Sequence, residues 1–209
     1  MINKDTLLSY LNELYPNAHC ELIYHNLFEL LIAVSLSAQT TDVKVNSVTP
    51  ILFAKYPTPY DLEKADLKEI EDILKPLGLY HNKAKNIIAC SKDLVDRFAG
   101  EVPSDIGLLS SLPGVGHKTA SVVLVEGFNL PAFPVDTHVN RIAKRLGIAL
   151  ESDDIDKVET KLKRLIPKDK WGKTHHQMIH FGRYFCTARK PNCEECKLKD
   201  SCLFYQSLK

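Results

Sequence analysis

The chain has 209 residues, 44% of them hydrophobic and 25% charged, with a net charge of +1. That length and mixture fit one or two packed domains and exclude a wholly disordered, collagen-like or low-complexity chain. The longest uncharged stretch, Leu30 to Thr41, is twelve residues and contains Ser, Gln and Thr, short of the roughly 18 apolar residues that span a bilayer. The start, Met1-Ile2-Asn3-Lys4-Asp5, lacks the basic-then-apolar order of a secretory signal. A soluble cytoplasmic protein with no membrane partner is therefore expected. The charge is uneven: residues 168–209 carry nine Lys and Arg against four Asp and Glu, residues 1–167 eighteen against twenty-two. A basic tail is either a solvated charged face or the mark of a polyanion partner.

Helical spacing runs through the chain. Phe28, Leu31, Ile32, Ser35 and Leu36 follow a 3.6-residue period, and Thr41-Asp42 after them has the composition of a helix start. Leu67, Ile70 and Leu74 repeat the pattern, as do Ala84, Ile87, Ile88, Leu94, Val95 and Phe98, with Gly100 where a C-terminal stop is expected. Further helix-length patterns cover Lys118–Glu126, Thr137–Leu146, Ile155–Leu165 and Thr174–Tyr184, and Asp136 stands ready to cap the second of these. Gly78, Gly107, Gly127 and Gly147 read as further helix ends. No stretch alternates between flanking hairpin residues, so no strand is required. The expected class is all-α.

Six cysteines are present, and four of them form Cys186-x6-Cys193-x2-Cys196-x5-Cys202 within seventeen residues. Disulfides rarely persist in a reducing compartment, so four thiols this close point to a metal site. Tetrahedral zinc and a cubane iron–sulfur cluster both suit such a ligand set, and spacing alone leaves the metal open. Cys20 and Cys90 stand apart and are expected to be buried small apolar residues.

Between two helical stretches lies Leu112-Pro113-Gly114-Val115-Gly116-His117-Lys118-Thr119-Ala120. Two glycines one residue apart allow a tight turn and a close ligand approach. The amides that open the next helix would then face an anion such as a DNA phosphate. Lys118 falls in the first turn of that helix. It is either a solvated cation on phosphate or, with its ammonium partly desolvated, an amine able to form a Schiff base. Eighteen residues on comes Pro134-Val135-Asp136-Thr137-His138-Val139. Here Asp136 is an N-cap or a carboxylate that stabilises a developing cation, and His138 a structural histidine or a ligand contact.

These segments together resemble the endonuclease III family of DNA glycosylases. The resemblance runs through Phe28–Val34, Leu36-Ser37-Ala38-Gln39-Thr40-Thr41-Asp42, Gly78-Leu79-Tyr80, the glycine hairpin, Val135–His138 and His180–Tyr184 into the four cysteines. It implies two lobes with a DNA-binding cleft between them. One is a six-helix barrel over 20–131 with a helix-hairpin-helix at about 105–126. The other joins 1–19 to 132–209 around a [4Fe–4S] cluster in the loop 186–202. The family's nucleophilic lysine falls on Lys118, its catalytic aspartate on Asp136, and its cluster ligands on Cys186, Cys193, Cys196 and Cys202. The residue that fills the gap left by a flipped base falls on Gln39, and the wedge in the stack on Leu79. Leu112, Gly114, Gly116, His117 and His138 join the DNA contacts, with Arg189 and Lys190 as a second phosphate contact in the cluster loop.

The implied activity is that of a monomeric DNA glycosylase and AP lyase acting on double-stranded DNA with a damaged pyrimidine or an abasic site. A stacked base is extruded at a cost of a few kcal/mol before its sugar is attacked. His117 stands where well-known bacterial members carry Arg, and His81-Asn82 where Asn-Ser is expected. A mismatch-specific monofunctional glycosylase would lack the lysine, and an adenine-mismatch enzyme would usually extend beyond the seven residues that follow Cys202. A catalytically silent DNA-binding module would have no need of Lys118 and Asp136 together.

Overall fold

The computed structural model describes residues 2–208, and among these there is no strand. The chain divides into two compact units, Glu21–Leu130 and a second that joins Met1–Cys20 to Pro131–Lys209. Helix α1 (Lys4–Leu14) belongs to the second unit. The first carries α2 (Leu27–Leu36), α3 (Asp42–Lys55), α4 (Pro59–Leu62), α5 (Leu67–Leu74), α6 (Tyr80–Phe98), α7 (Ile106–Ser110) and α8 (His117–Phe128). After it the second unit resumes with α9 (Thr137–Arg145), α10 (Ile155–Leu165), α11 (Trp171–His180) and α12 (Leu203–Gln206).

In the Glu21–Leu130 unit the central element is α2. Phe28 to Val34 and Leu36 are buried except for Ser35, so the helix is covered on every side rather than along one stripe. It packs on α3, α6 and α8. Gly127 makes the α8 contact possible: a Cβ there would stand 2.5 Å from Leu27 Cδ2 and 3.0 Å from Leu30 Cδ2. Gly127 thus lies inside α8, and Gly107 inside α7, where helix ends were expected. The close helix approach explains the first. Gly107 follows the Asp105 N-cap, whose carboxylate accepts its amide at 2.8 Å. Gly100 does end α6, its amide donating to Leu94 O at 2.9 Å.

The second unit is built around Leu7 and Leu11 of α1, Phe133, Val139 and Ile142, Leu162, Met178 and Phe181. Helix α11 begins at Trp171 and ends at His180, after which Phe181–Phe185 form one wider, π-type turn. The Cys186 amide closes that turn on Phe181 O at 2.7 Å. The pattern read over Thr174–Tyr184 therefore covers two geometries, and the change occurs just before the first cysteine. Cys90 is buried as expected, and burial pushes its thiol up to about 12. Cys20 is only half-buried. Among the described residues no helix is long and apolar enough to cross a membrane.

Candidate active site and metal centre

In the Glu21–Leu130 unit, Asp105 caps α7 and the chain turns between Ser111 and Gly116 into α8. Leu112 and Val115 are buried and pin the turn, while Gly114, Gly116, His117 and Lys118 are exposed. The two glycines serve different ends. Gly114 has φ +74°, and a Cβ on it would meet Asn86 Cβ at 2.7 Å, so the fold itself requires glycine there. Gly116 has φ −84° and nothing within 4 Å of a built Cβ. Neither positive φ nor packing demands a glycine at 116. Gly116 is also the N-cap of α8 and offers no side-chain cap, so the leading amides of α8 gain no hydrogen bond from it. Lys118 stands in this first turn, exposed, without the partial desolvation expected of its ammonium.

The same unit holds Gln39 and Leu79. Among the described residues four non-glycine residues have positive φ: Gln39 (54°), Leu79 (60°), Ala99 and Asn129. Ala99 and Asn129 are left-handed C-caps of α6 and α8, an ordinary use of that conformation. Gln39 lies between α2 and α3, and Leu79 is the N-cap of α6. A leucine held this way costs of order 1–2 kcal/mol, yet its side chain is 57% exposed. His81, one of the two departures from the family pattern, pairs with Glu71 Oε1 at 2.9 Å. It also lies against Tyr80.

In the second unit Asp136 is half-buried and caps α9, its Oδ1 accepting from Val139 N at 2.8 Å. His138 is the second residue of α9, its Cβ 2.9 Å from where a Gly182 Cβ would be. Burial lowers the His138 pKa; Asp136 opposes this, and Arg141 and Arg183 reinforce it. At its other end α9 grips the cysteine loop. Arg145 Nη1 donates to Thr187 O at 2.8 Å and reaches Cys186 Sγ at 3.2 Å, and Nη2 donates to Ala188 O at 2.9 Å. Arg141 Nη2 donates to Gly182 O at 2.7 Å. The Arg145 guanidinium lies 4.2 Å over the Phe204 ring. Neither arginine was singled out by sequence; the clue was two arginines four apart in the last turns of a helix, which one face carries together.

Cys186, Cys193, Cys196 and Cys202 line one cavity, walled by Ile142, Leu146, Phe181 and Phe185. Four sulfurs around one largely apolar space are the thiolate set expected of a metal centre. Burial pushes the Cys193 and Cys196 thiols up, and neighbouring cysteines add to it. Arg145 opposes the shift at Cys193, and a backbone hydrogen bond at Leu198 opposes it at Cys196. Arg189 and Lys190 are exposed on the same loop.

Residues 32–168 match the HhH-GPD superfamily of base excision DNA repair proteins, and residues 186–202 match the iron–sulfur binding domain of endonuclease III. Endonuclease III of Bacillus subtilis is 49% identical over 195 residues, 93% of this chain and 89% of that one. The chain belongs to the endonuclease III family. The Escherichia coli enzyme is 41% identical over 97% of this chain and 95% of its own. The solved structure of a trapped endonuclease III–DNA covalent intermediate, an estranged-adenine complex, superposes with a TM-score of 0.96 at 47% identity, covering 100% of this chain and 99% of that one. Membership makes the chain a base excision repair DNA glycosylase with AP lyase activity and a [4Fe–4S] cluster.

Gly114→Ala should cost about 1–2 kcal/mol of stability, from positive φ and the Asn86 contact, whereas Gly116→Ala should cost less, about 0.5–1 kcal/mol, because only the N-cap preference for glycine over alanine is lost; thermal denaturation of the two variants checks both. For His138 the folded pKa lies below the unfolded value of about 6.5, so the unfolded chain binds the extra proton first. Stability therefore falls as pH drops below about 6.5, until the folded pKa is passed. His138→Asn should flatten the fall in melting temperature between pH 7 and pH 5.

Proposed function

We propose that the chain acts as a monomer on double-stranded DNA on the nucleoid, excising oxidised or ring-saturated pyrimidines with Lys118 as nucleophile and Asp136 as the carboxylate partner. The observation that carries the reading is Lys118 itself. It is exposed in the first turn of α8, two residues after Gly116, whose missing side chain leaves open space. Phosphates on the α8 amides and around the Leu112–His117 turn hold the backbone at that helix end.

In the chemistry, the Lys118 amine attacks C1′ of the extruded nucleotide, the C1′–N bond breaks, and the base leaves with the proton that the attacking nitrogen gives up. The sugar ring then opens to a protonated imine, its oxygen taking a proton from water. Loss of a C2′ proton then expels the 3′ phosphate by β-elimination, cutting the strand on the 3′ side. Asp136 offsets the positive charge that develops on the sugar as the base departs. His138, in the first turn of α9, is proposed as a further contact to DNA. Gln39 and Leu79 fill the space that the extruded nucleotide leaves, offsetting part of the cost of unstacking. Cys186, Cys193, Cys196 and Cys202 hold the cluster, whose iron–thiolate bonds, when it is bound, fix the loop that carries Arg189 and Lys190 to phosphate.

The experiment is a set of duplexes with single defined lesions, scored separately for base release and strand cutting. Lys118→Gln should retain the fold and the cluster's absorption but lose strand cutting. Asparagine caps a helix as well as aspartate does, so Asp136→Asn keeps α9 while removing the charge. It should bind lesion duplex yet release base about 100–1,000-fold more slowly. Arg189→Ala with Lys190→Ala should weaken damaged and undamaged duplex alike and lower the salt slope by about 2. A protein that cuts no pyrimidine-lesion duplex would remove the substrate assignment.

A further inference from the structure

One buried charge in the Glu21–Leu130 unit has no place in that chemistry. Lys83 is 7% exposed. Its Nζ donates to Leu36 O at 2.9 Å and to the Thr40 hydroxyl. Leu36 is the last residue of α2, and its carbonyl is among those a helix leaves without an internal partner. An ammonium at that end is also favoured by the helix dipole. Burial lowers the Lys83 pKa. A desolvated ammonium is expensive, and methionine would fill much of the same space at far less cost.

The neighbours of Lys83 explain its place. Leu36 and Thr40 bracket Gln39, which has φ 54°. Lys83 also donates its backbone amide to Leu79 O at 3.0 Å, and Leu79 has φ 60°. The two left-handed residues that cap no helix C-terminus are thus tied together through one side chain and its own amide. We propose that Lys83 is a positioning residue that holds the Gln39 loop and the Leu79 turn in register, so that both side chains enter the DNA stack together when a paired nucleotide is extruded. This rests on the reading of Gln39 and Leu79 as gap-filling residues.

The test compares single-turnover base release from one lesion in two settings: opposite adenine, and opposite a stable abasic analogue that leaves no partner base to separate. The bond cleaved is the same, and only the cost of extrusion differs. Lys83→Met should lower the paired-to-unpaired rate ratio by about 10–100-fold, the scale of a misplaced positioning group. Thr40→Val, which removes one acceptor and keeps the charge, should lower it in the same direction by less, and it decides the matter if Lys83→Met does not fold. Lys83→Met combined with Leu79→Ala should lower the ratio no further than the more severe single change. An equal loss on both duplexes, or an unchanged ratio, would overturn the proposal. Leu79→Ala is measured alongside: an unchanged ratio there overturns the gap-filling reading itself, independently of what Lys83 does.

Discussion

The guanidinium of Arg145 is the contact on which the second unit depends. The stretch 186–192 has no helix to satisfy its carbonyls, and Thr187 O and Ala188 O both accept from Arg145. A buried carbonyl left without a donor costs about 1–3 kcal/mol, and of the two Thr187 O is the part-buried one. The planar fork of arginine meets several of them at once, which a lysine at 145 would not do. Because Arg145 closes α9 and Asp136 opens it, one nine-residue helix fixes both a carboxylate and the approach to a cysteine cavity. A change at the cluster loop therefore has a short mechanical route to Asp136.

The Glu21–Leu130 unit solves a different problem, that of presenting backbone and strained side chains outward at bearable cost. The buried Leu112 and Val115 hold the hairpin so that its glycines and the start of α8 stay bare. Gln39 and Leu79 are likewise held in left-handed conformations by neighbours that are themselves tightly bonded. Both arrangements leave backbone and side chains open to solvent, as the proposed contacts with DNA require.

Much of this was legible in the sequence because it depends on spacing. The four cysteines, the glycine hairpin and Asp136 at a helix start announce themselves through residue type at fixed intervals, and most helices through their apolar period. What stayed hidden depends on three-dimensional neighbours. A 3.6-residue pattern does not reveal that the turn after His180 widens at Phe181–Phe185. Gly114 and Gly116 look equivalent until Asn86 is placed beside only one of them. Gly127 reads as a stop until Leu27 and Leu30 are seen packed against it. Lys83 shares its face of α6 with Ile87 and Leu94, so a charge on an apolar stripe was the available clue; its partners lie more than forty residues away.

The assignment of Lys118 is tested most directly by identifying the amine that bonds to DNA. The protein is incubated with an abasic-site duplex under borohydride, the covalent product is digested, and the modified peptide is sequenced by mass spectrometry. The reduced adduct is expected on the Lys118 side chain alone. An adduct on another amine of the same unit, such as the exposed Lys85, or no adduct despite strand cutting, would contradict it.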